Sequence, residues 1–219
     1  MRFDRKQYIF YKVYMPYFKN ENILFIHIPK TGGTSIDSYF LNKYNEEVGV
    51  DKLIHPFIKY KNVAYQHLQL QVIYNQRNEF NIDFDNIQII TIVRNPYHRI
   101  MSELAFLHLV KDDTSPEITY EHIQNLIIQH NYGILRDNHI RSQYDMLTLN
   151  GKIPDNIKIL RTENLNQMMH DMGYIDFNLY EHTTSLTKPY MSYLNKESIE
   201  LINKFYEKDF EYFSYEMIK

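Results

Sequence analysis

The chain of 219 residues has no cysteine and no tryptophan, only six glycines and seven prolines, and no long unbroken apolar run. Without cysteine, disulfides, thiolate metal sites and cysteine nucleophiles are excluded, and nothing speaks for an oxidising compartment. Residues 1–22 are interrupted by Arg2, Asp4, Arg5, Lys6, Lys12 and Lys19, and no other segment is apolar enough to span a bilayer. With neither signal peptide nor membrane anchor legible, a soluble cytoplasmic or intracellular protein is expected. An excess of positive charge is also missing. Lys and Arg number 24 against 27 Asp and Glu, a net charge of -3, which argues against a generally basic nucleic-acid binder. No HExxH motif or carboxylate cluster of recognised spacing occurs, so no metal is expected. Few glycines and prolines, with no repeat or low-complexity tract, argue against a long linker. A hydrophobic content of 44% over this length supports one sizeable core and is too little for two independent α/β domains.

Against this background one stretch stands out, Ile23-Leu24-Phe25-Ile26-His27-Ile28-Pro29-Lys30-Thr31-Gly32-Gly33-Thr34-Ser35. An apolar run reads as a buried strand, and it ends in a glycine turn carrying a lysine and three hydroxyl residues. Paired glycines let the backbone close around an anion, and the following helix offers unpaired N–H groups at its positive end. Lys30 adds a full charge. In the Walker A order the lysine follows the second glycine, whereas Lys30 precedes both, which weakens the reading as a metal-dependent NTPase. A second apolar run, Gln88 to Val93, leads into Arg94-Asn95-Pro96-Tyr97-His98-Arg99-Ile100-Met101-Ser102. Asn95 suits an N-cap and Pro96 a first helical position, so Arg94 falls at a strand end and Ser102 two turns into a helix. Two separate strand-end anion sites fit a ligand with two separated phosphates better than a nucleoside triphosphate.

Periodicity predicts strands over 23–28, 62–66, 87–93 and 157–162. It predicts helices over 34–44, 68–76, 96–110, 117–130, 138–148, 164–171 and 196–210, with a loop-rich stretch over 45–61. Strands alternating with helices imply an α/β fold, a single P-loop-like domain with a parallel β-sheet of four or five strands flanked by α-helices. Within 1–219, residues 1–22 read as an N-terminal extension, 23–163 as a cofactor-binding core and 164–219 as a C-terminal helical part. In such sheets ligands sit beyond the carboxyl ends of the strands, where Lys30, His67 and Arg94 all fall.

The two motifs, in this order and at this separation, resemble those of the sulfotransferase superfamily, specifically the membrane-type carbohydrate sulfotransferases. Further echoes run through Ala64-Tyr65-Gln66-His67-Leu68, Asp137 to Gln143, Lys158 to Leu165 and Ile202 to Tyr215, so most of the chain is covered. Cytosolic sulfotransferases are less similar, because their late glycine- and tryptophan-bearing motif has no counterpart in a chain without tryptophan. The resemblance implies PAPS as sulfuryl donor and PAP as product, with no metal. Lys30, Thr31, Gly32, Gly33, Thr34 and Ser35 would bind the 5′-phosphosulfate, and Arg94 and Ser102 the 3′-phosphate. Lys30 would also act in catalysis at the bridging oxygen, and His67 resembles the histidine that serves as base.

His139 is the reserve candidate for that base, and with Arg99, Arg141 and Gln143 it forms a set of possible acceptor or cofactor contacts. Arg99 could equally pair with Glu103 or another carboxylate. His27, alternating within an apolar strand, reads as a structural histidine, and Glu163 as an architectural carboxylate. The expected activity is sulfuryl transfer to an acceptor hydroxyl, on a glycan by resemblance. A P-loop nucleotide kinase or NTPase and a non-catalytic PAP-binding module stay open as alternatives.

Overall fold

A computed structural model describes residues 17–44, 63, 65–135, 137–178 and 186–219. Its centre is a four-stranded sheet in the order β1 (Tyr17–Phe18), β2 (Ile23–Ile26), β3 (Gln88–Val93), β4 (Ile157–Arg161). β2, β3 and β4 are parallel, with Ile23 opposite Gln88 and Ile89 opposite Ile157, while β1 pairs antiparallel to β2 at the edge. All of β2 and five of the six residues of β3 are buried, which is what a parallel sheet covered on both faces requires of its inner strands.

The alternation of side chains sorts these strands onto two apolar layers. Ile23, Phe25, Ile90, Ile92 and Leu160 pack with Ile36 and Phe40 of α1 (Gly33–Tyr44) and Leu165 and Met169 of α6 (Leu165–Asp171). On the other face Leu24, Ile26, Ile89, Val93 and Ile157 meet α2 (Leu70–Asn75) and α5 (Gln143–Leu147). The fold is thus α/β, with helices on both sides of the sheet. A third apolar cluster joins α3 (Pro96–Phe106), α4 (Pro116–Asn131), α7 (Lys196–Phe205) and α8 (Glu207–Tyr212). Asn95 caps α3 by accepting from Tyr97 N, and Ser115 caps α4 by accepting from Ile118 N. Among the described residues no helix is long and apolar enough to cross a membrane.

Several expectations are corrected. Among the described residues of the strand expected over 62–66 none lies in a strand: Val63 lies in a bend and Tyr65–His67 make a 3-10 turn. The fourth strand is instead β1, inside the expected N-terminal extension and antiparallel. The helix expected over 138–148 shortens to α5, because Asp137 and Asn138 take left-handed φ values of 69° and 56°. α3 stops at Phe106, and His108 just beyond it has φ 56°. The expected helix over 196–210 is two helices broken at Tyr206, whose hydroxyl donates to Ile140 O. The loop expected over 45–61 lies outside the described residues.

Candidate active site

The turn between β2 and α1 is built for close backbone approach. Lys30 has φ 68° and Gly32 φ 91°, both left-handed. Thr31 Oγ1 donates to Ile28 O at 2.8 Å, and Thr162 Oγ1 reaches across from the end of β4 to Thr31 O at 2.6 Å. Gly33 opens α1 against His27: a Cβ there would stand 2.5 Å from the imidazole. Lack of a side chain is therefore what lets the helix start so near the strand. The first turn of α1, where Ser35 N donates to Gly32 O at 3.1 Å, carries the positive end of the helix dipole. Gly32, Gly33, Thr34 and Ser35 line a cleft of about 920 Å³.

Lys30 enters the same cleft, its Nζ 4.1 Å from the centre of the Phe106 ring. Burial holds its pKa below that of an ordinary lysine, the Glu103 charge opposing this and the Arg94 charge adding to it. Arg94 directly follows β3, and its guanidinium donates to Lys30 O at 3.2 Å, joining the two strand-end turns. Gln143 fixes that peptide from both sides, Oε1 accepting from Arg94 N and Nε2 donating to Arg94 O, each at 2.9 Å. Ser102, on α3, also lines the cleft. Glu163 braces the turn, accepting from Asn95 N at 2.8 Å and from the Tyr215 hydroxyl at 3.0 Å.

The same cleft holds a group of imidazoles and carboxylates. The rings of His27 and His67 are edge to face with centres 5.2 Å apart, as are those of His67 and His139. His27 Nδ1 lies 2.9 Å from Asp37 Oδ2, and His67 Nδ1 lies 2.9 Å from Asp137 Oδ2. His139 Nδ1 lies 2.9 Å from Glu103 Oε2, and its Nε2 lies 3.5 Å from Asp137 Oδ2. Ligand-type atoms of His67, Asp137 and His139 fall within 4.8 Å of one another, a closeness their mutual ion pairing accounts for. Burial pushes the His67 pKa down, the Asp137 hydrogen bond opposing it and the His27 charge adding to it. For His139 burial works in the same direction, but hydrogen bonds to Asp137 and Glu103 outweigh it and push the pKa up to about 9.

The cleft brings together Lys30, Gly32, Gly33, Thr34, Ser35, His67, Arg94, Ser102 and His139 from the residues singled out in the sequence. The other four stand behind its wall. Thr31 is fully buried and held by the turn. Arg99, 1% exposed, donates to Pro29 O, Arg141 O and His139 O. Arg141 donates to Asn138 Oδ1, and Gln143 serves Arg94. Sequence reasoning passed over Gln66, His98, Phe106, Asp137, Lys188 and Tyr190, which also line the cleft. Of these, Gln66, His98 and Asp137 lie inside segments already singled out, whereas Lys188 and Tyr190 lie in no legible motif. The Tyr190 ring lies 5.6 Å from the Arg94 guanidinium and edge-on to His98.

Comparison with known proteins finds that the model of the sulfotransferase family matches residues 15–216. No curated protein and no solved structure matches the chain.

Proposed function

The chain belongs to the sulfotransferase family, and from that premise we propose that it transfers the sulfuryl group of PAPS to an acceptor hydroxyl on a carbohydrate, releasing PAP. The observation that carries this reading is the meeting of two anion-type turns, at the ends of the adjacent parallel strands β2 and β3, in one cleft that also holds a buried histidine. The donor fits the residues present. Gly33 leaves no room for a side chain and opens a twelve-residue helix whose N–H groups suit the 5′-phosphate. Arg94 and Ser102 suit the 3′-phosphate, and the half-buried rings of Tyr190 and His98 beside Arg94 suit the purine.

PAPS supplies an activated sulfuryl group whose S–O bond to the 5′-phosphate breaks as the acceptor oxygen attacks in line. Lys30, a cation in a partly desolvated setting, stabilises the negative charge that grows on the departing phosphate. His67 receives the acceptor's proton. The choice over His139 follows from protonation: a base must be neutral at working pH, and His67 is held below the ordinary histidine pKa while His139, at about 9, is already a cation. The carbohydrate acceptor rests on resemblance to the carbohydrate sulfotransferases, and the reaction as drawn calls for no metal.

Incubation with isotopically labelled PAPS and a panel of glycan acceptors, read by mass spectrometry, tests the reading directly. Lys30→Ala is expected to lower transfer on the order of 10²- to 10³-fold. For His67→Ala a loss of about 10²- to 10⁴-fold is expected while PAP binding, measured by calorimetry, stays close to that of the unaltered protein. Normal turnover by His67→Ala would remove it as the base.

A further inference from the structure

We infer that Asp137 is a positioning residue for the transfer, the centre of a chain Glu103–His139–Asp137–His67 that fixes which nitrogen of His67 meets the acceptor and balances the proton His67 receives. The inference rests on the reading of His67 as the base.

The neighbours of His67 differ in kind. Its Nε2 lies 3.3 Å from the amide nitrogen of Gln66, and its Nδ1 lies 2.9 Å from Asp137 Oδ2. The 2.9 Å contact to Asp137 is an ion-pair contact outside hydrogen-bond geometry, but an ionised carboxylate can only accept and an amide NH₂ can only donate, so a hydrogen on Nδ1 and a lone pair on Nε2 is the arrangement that both neighbours favour. The lone pair is what a general base needs. An acceptor O–H is a donor like the Gln66 amide, so the acceptor hydroxyl takes that amide's place at Nε2. As the acceptor oxygen bonds to sulfur, its proton passes to Nε2, and the electron pair of the broken S–O bond stays on the phosphate of PAP. His67 then carries a positive charge at a site 6% exposed to solvent. A buried charge without a counter-ion is strongly disfavoured, and Asp137 supplies the counter-ion on the far side of the ring.

Asp137 is itself held. His139 meets a carboxylate at each nitrogen, Glu103 at Nδ1 and Asp137 at Nε2, so both nitrogens carry hydrogen and the ring is an imidazolium between two anions. Before transfer the chain holds two negative charges and one positive; afterwards His67 makes it neutral. The intermediate charge of His139 also keeps two carboxylates near the donor's phosphates from acting as an unrelieved repulsion. The surrounding groups fit this scheme. His27, edge to face with His67, is paired with Asp37, and Lys30 lies across Phe106 within electrostatic reach of Glu103. Arg141 orients Asn138, whose amide donates to His67 O, and Arg99 donates to His139 O, so the backbone on both sides of the chain is anchored.

Nitrogen-detected NMR of histidine-labelled protein reads the tautomers without any need for turnover. In the unaltered protein His67 is expected as Nδ1–H with an unprotonated Nε2, and His139 as doubly protonated at neutral pH. In Asp137→Asn the amide can turn its NH₂ toward Nδ1. The His67 hydrogen is then expected to move to Nε2, and labelled sulfuryl transfer to fall on the order of 10²- to 10⁴-fold with PAP still bound. Asp137→Glu should restore the Nδ1–H form and part of the rate. Finding Nε2–H in the unaltered protein overturns the inference, as does an unchanged His67 tautomer in Asp137→Asn; the first holds even if the variant does not fold. Calorimetry on the same samples separates the two levels of argument. Absence of PAP uptake counts against the sulfotransferase mechanism, whereas PAP uptake with the wrong tautomer counts against the Asp137 assignment alone.

Discussion

At the scale of single residues, Arg99 shows how a charged side chain beside a ligand cleft comes to serve the scaffold. Its Nε donates to Pro29 O at 3.0 Å, and its terminal nitrogens to Arg141 O and His139 O at 2.9 Å each. One guanidinium thus ties the β2–α1 turn to the loop that carries His139. Lysine offers a single ammonium and cannot span three carbonyls lying in different directions. Arg99→Lys is expected to lower unfolding stability by about 2–4 kcal/mol, since carbonyls left buried and unpaired cost roughly 1–3 kcal/mol each. Urea denaturation checks this, and a change within experimental scatter would contradict it. Lys30 and Arg94 were legible because their neighbours in sequence are their neighbours in space. Arg99 and Gln143 were not, because their partners lie 70 and 49 residues away and only folding reveals which face each presents.

Elements show a similar division. β2, β3 and β4 were readable from apolar runs, and α1, α3, α4 and α6 from periodicity and capping residues. β1 was not, since two residues carry no period, and its strand character comes from pairing Tyr17 with Leu24 and Phe18 with Ile23. Val63 to Gln66 has strand-like composition but no place in the described ladder, and the 3-10 turn that forms there brings His67 to the cleft. Least legible was the segment 186–190. It is strapped to the α3–α4 loop through Asp112, which accepts from Thr187 N at 2.8 Å, Thr187 Oγ1 at 2.7 Å and the Tyr193 hydroxyl at 2.9 Å. Lys188 Nζ adds a bond to Asp112 O. Because this strap carries Lys188, Pro189 and Tyr190 into the cleft, Asp112→Ala is expected to loosen it and weaken PAP binding by about five- to tenfold through lost preorganisation. Titration calorimetry would show it; equal affinity in the variant would separate the strap from binding.

Over the whole molecule, three apolar clusters meet behind one cleft. Two cover the faces of the sheet, and the third is helical and includes Tyr97, Ile100, Met101 and Leu104 of α3, the helix that begins beside Arg94. The C-terminal stretch is bound into the same frame. Asp209 of α8 accepts from Gln143 N and Tyr144 N, Arg161 donates to Phe213 O, and Ile218 N donates to the Tyr97 hydroxyl. The cofactor-side turns are thereby stiffened by residues from nearly the full length of the chain. Although the net charge is -3, Lys30, Arg94 and Lys188 line the cleft together with Asp137 and Glu163, so cationic groups stand at the phosphate-type turns of an overall acidic protein. Calorimetric titration of PAP into the folded protein in the presence of EDTA tests the central claim most directly. Saturable uptake is predicted, weakening as salt rises and falling sharply in Arg94→Ala. No uptake of PAP, or a preference for ATP that appears only with Mg²⁺, would contradict it.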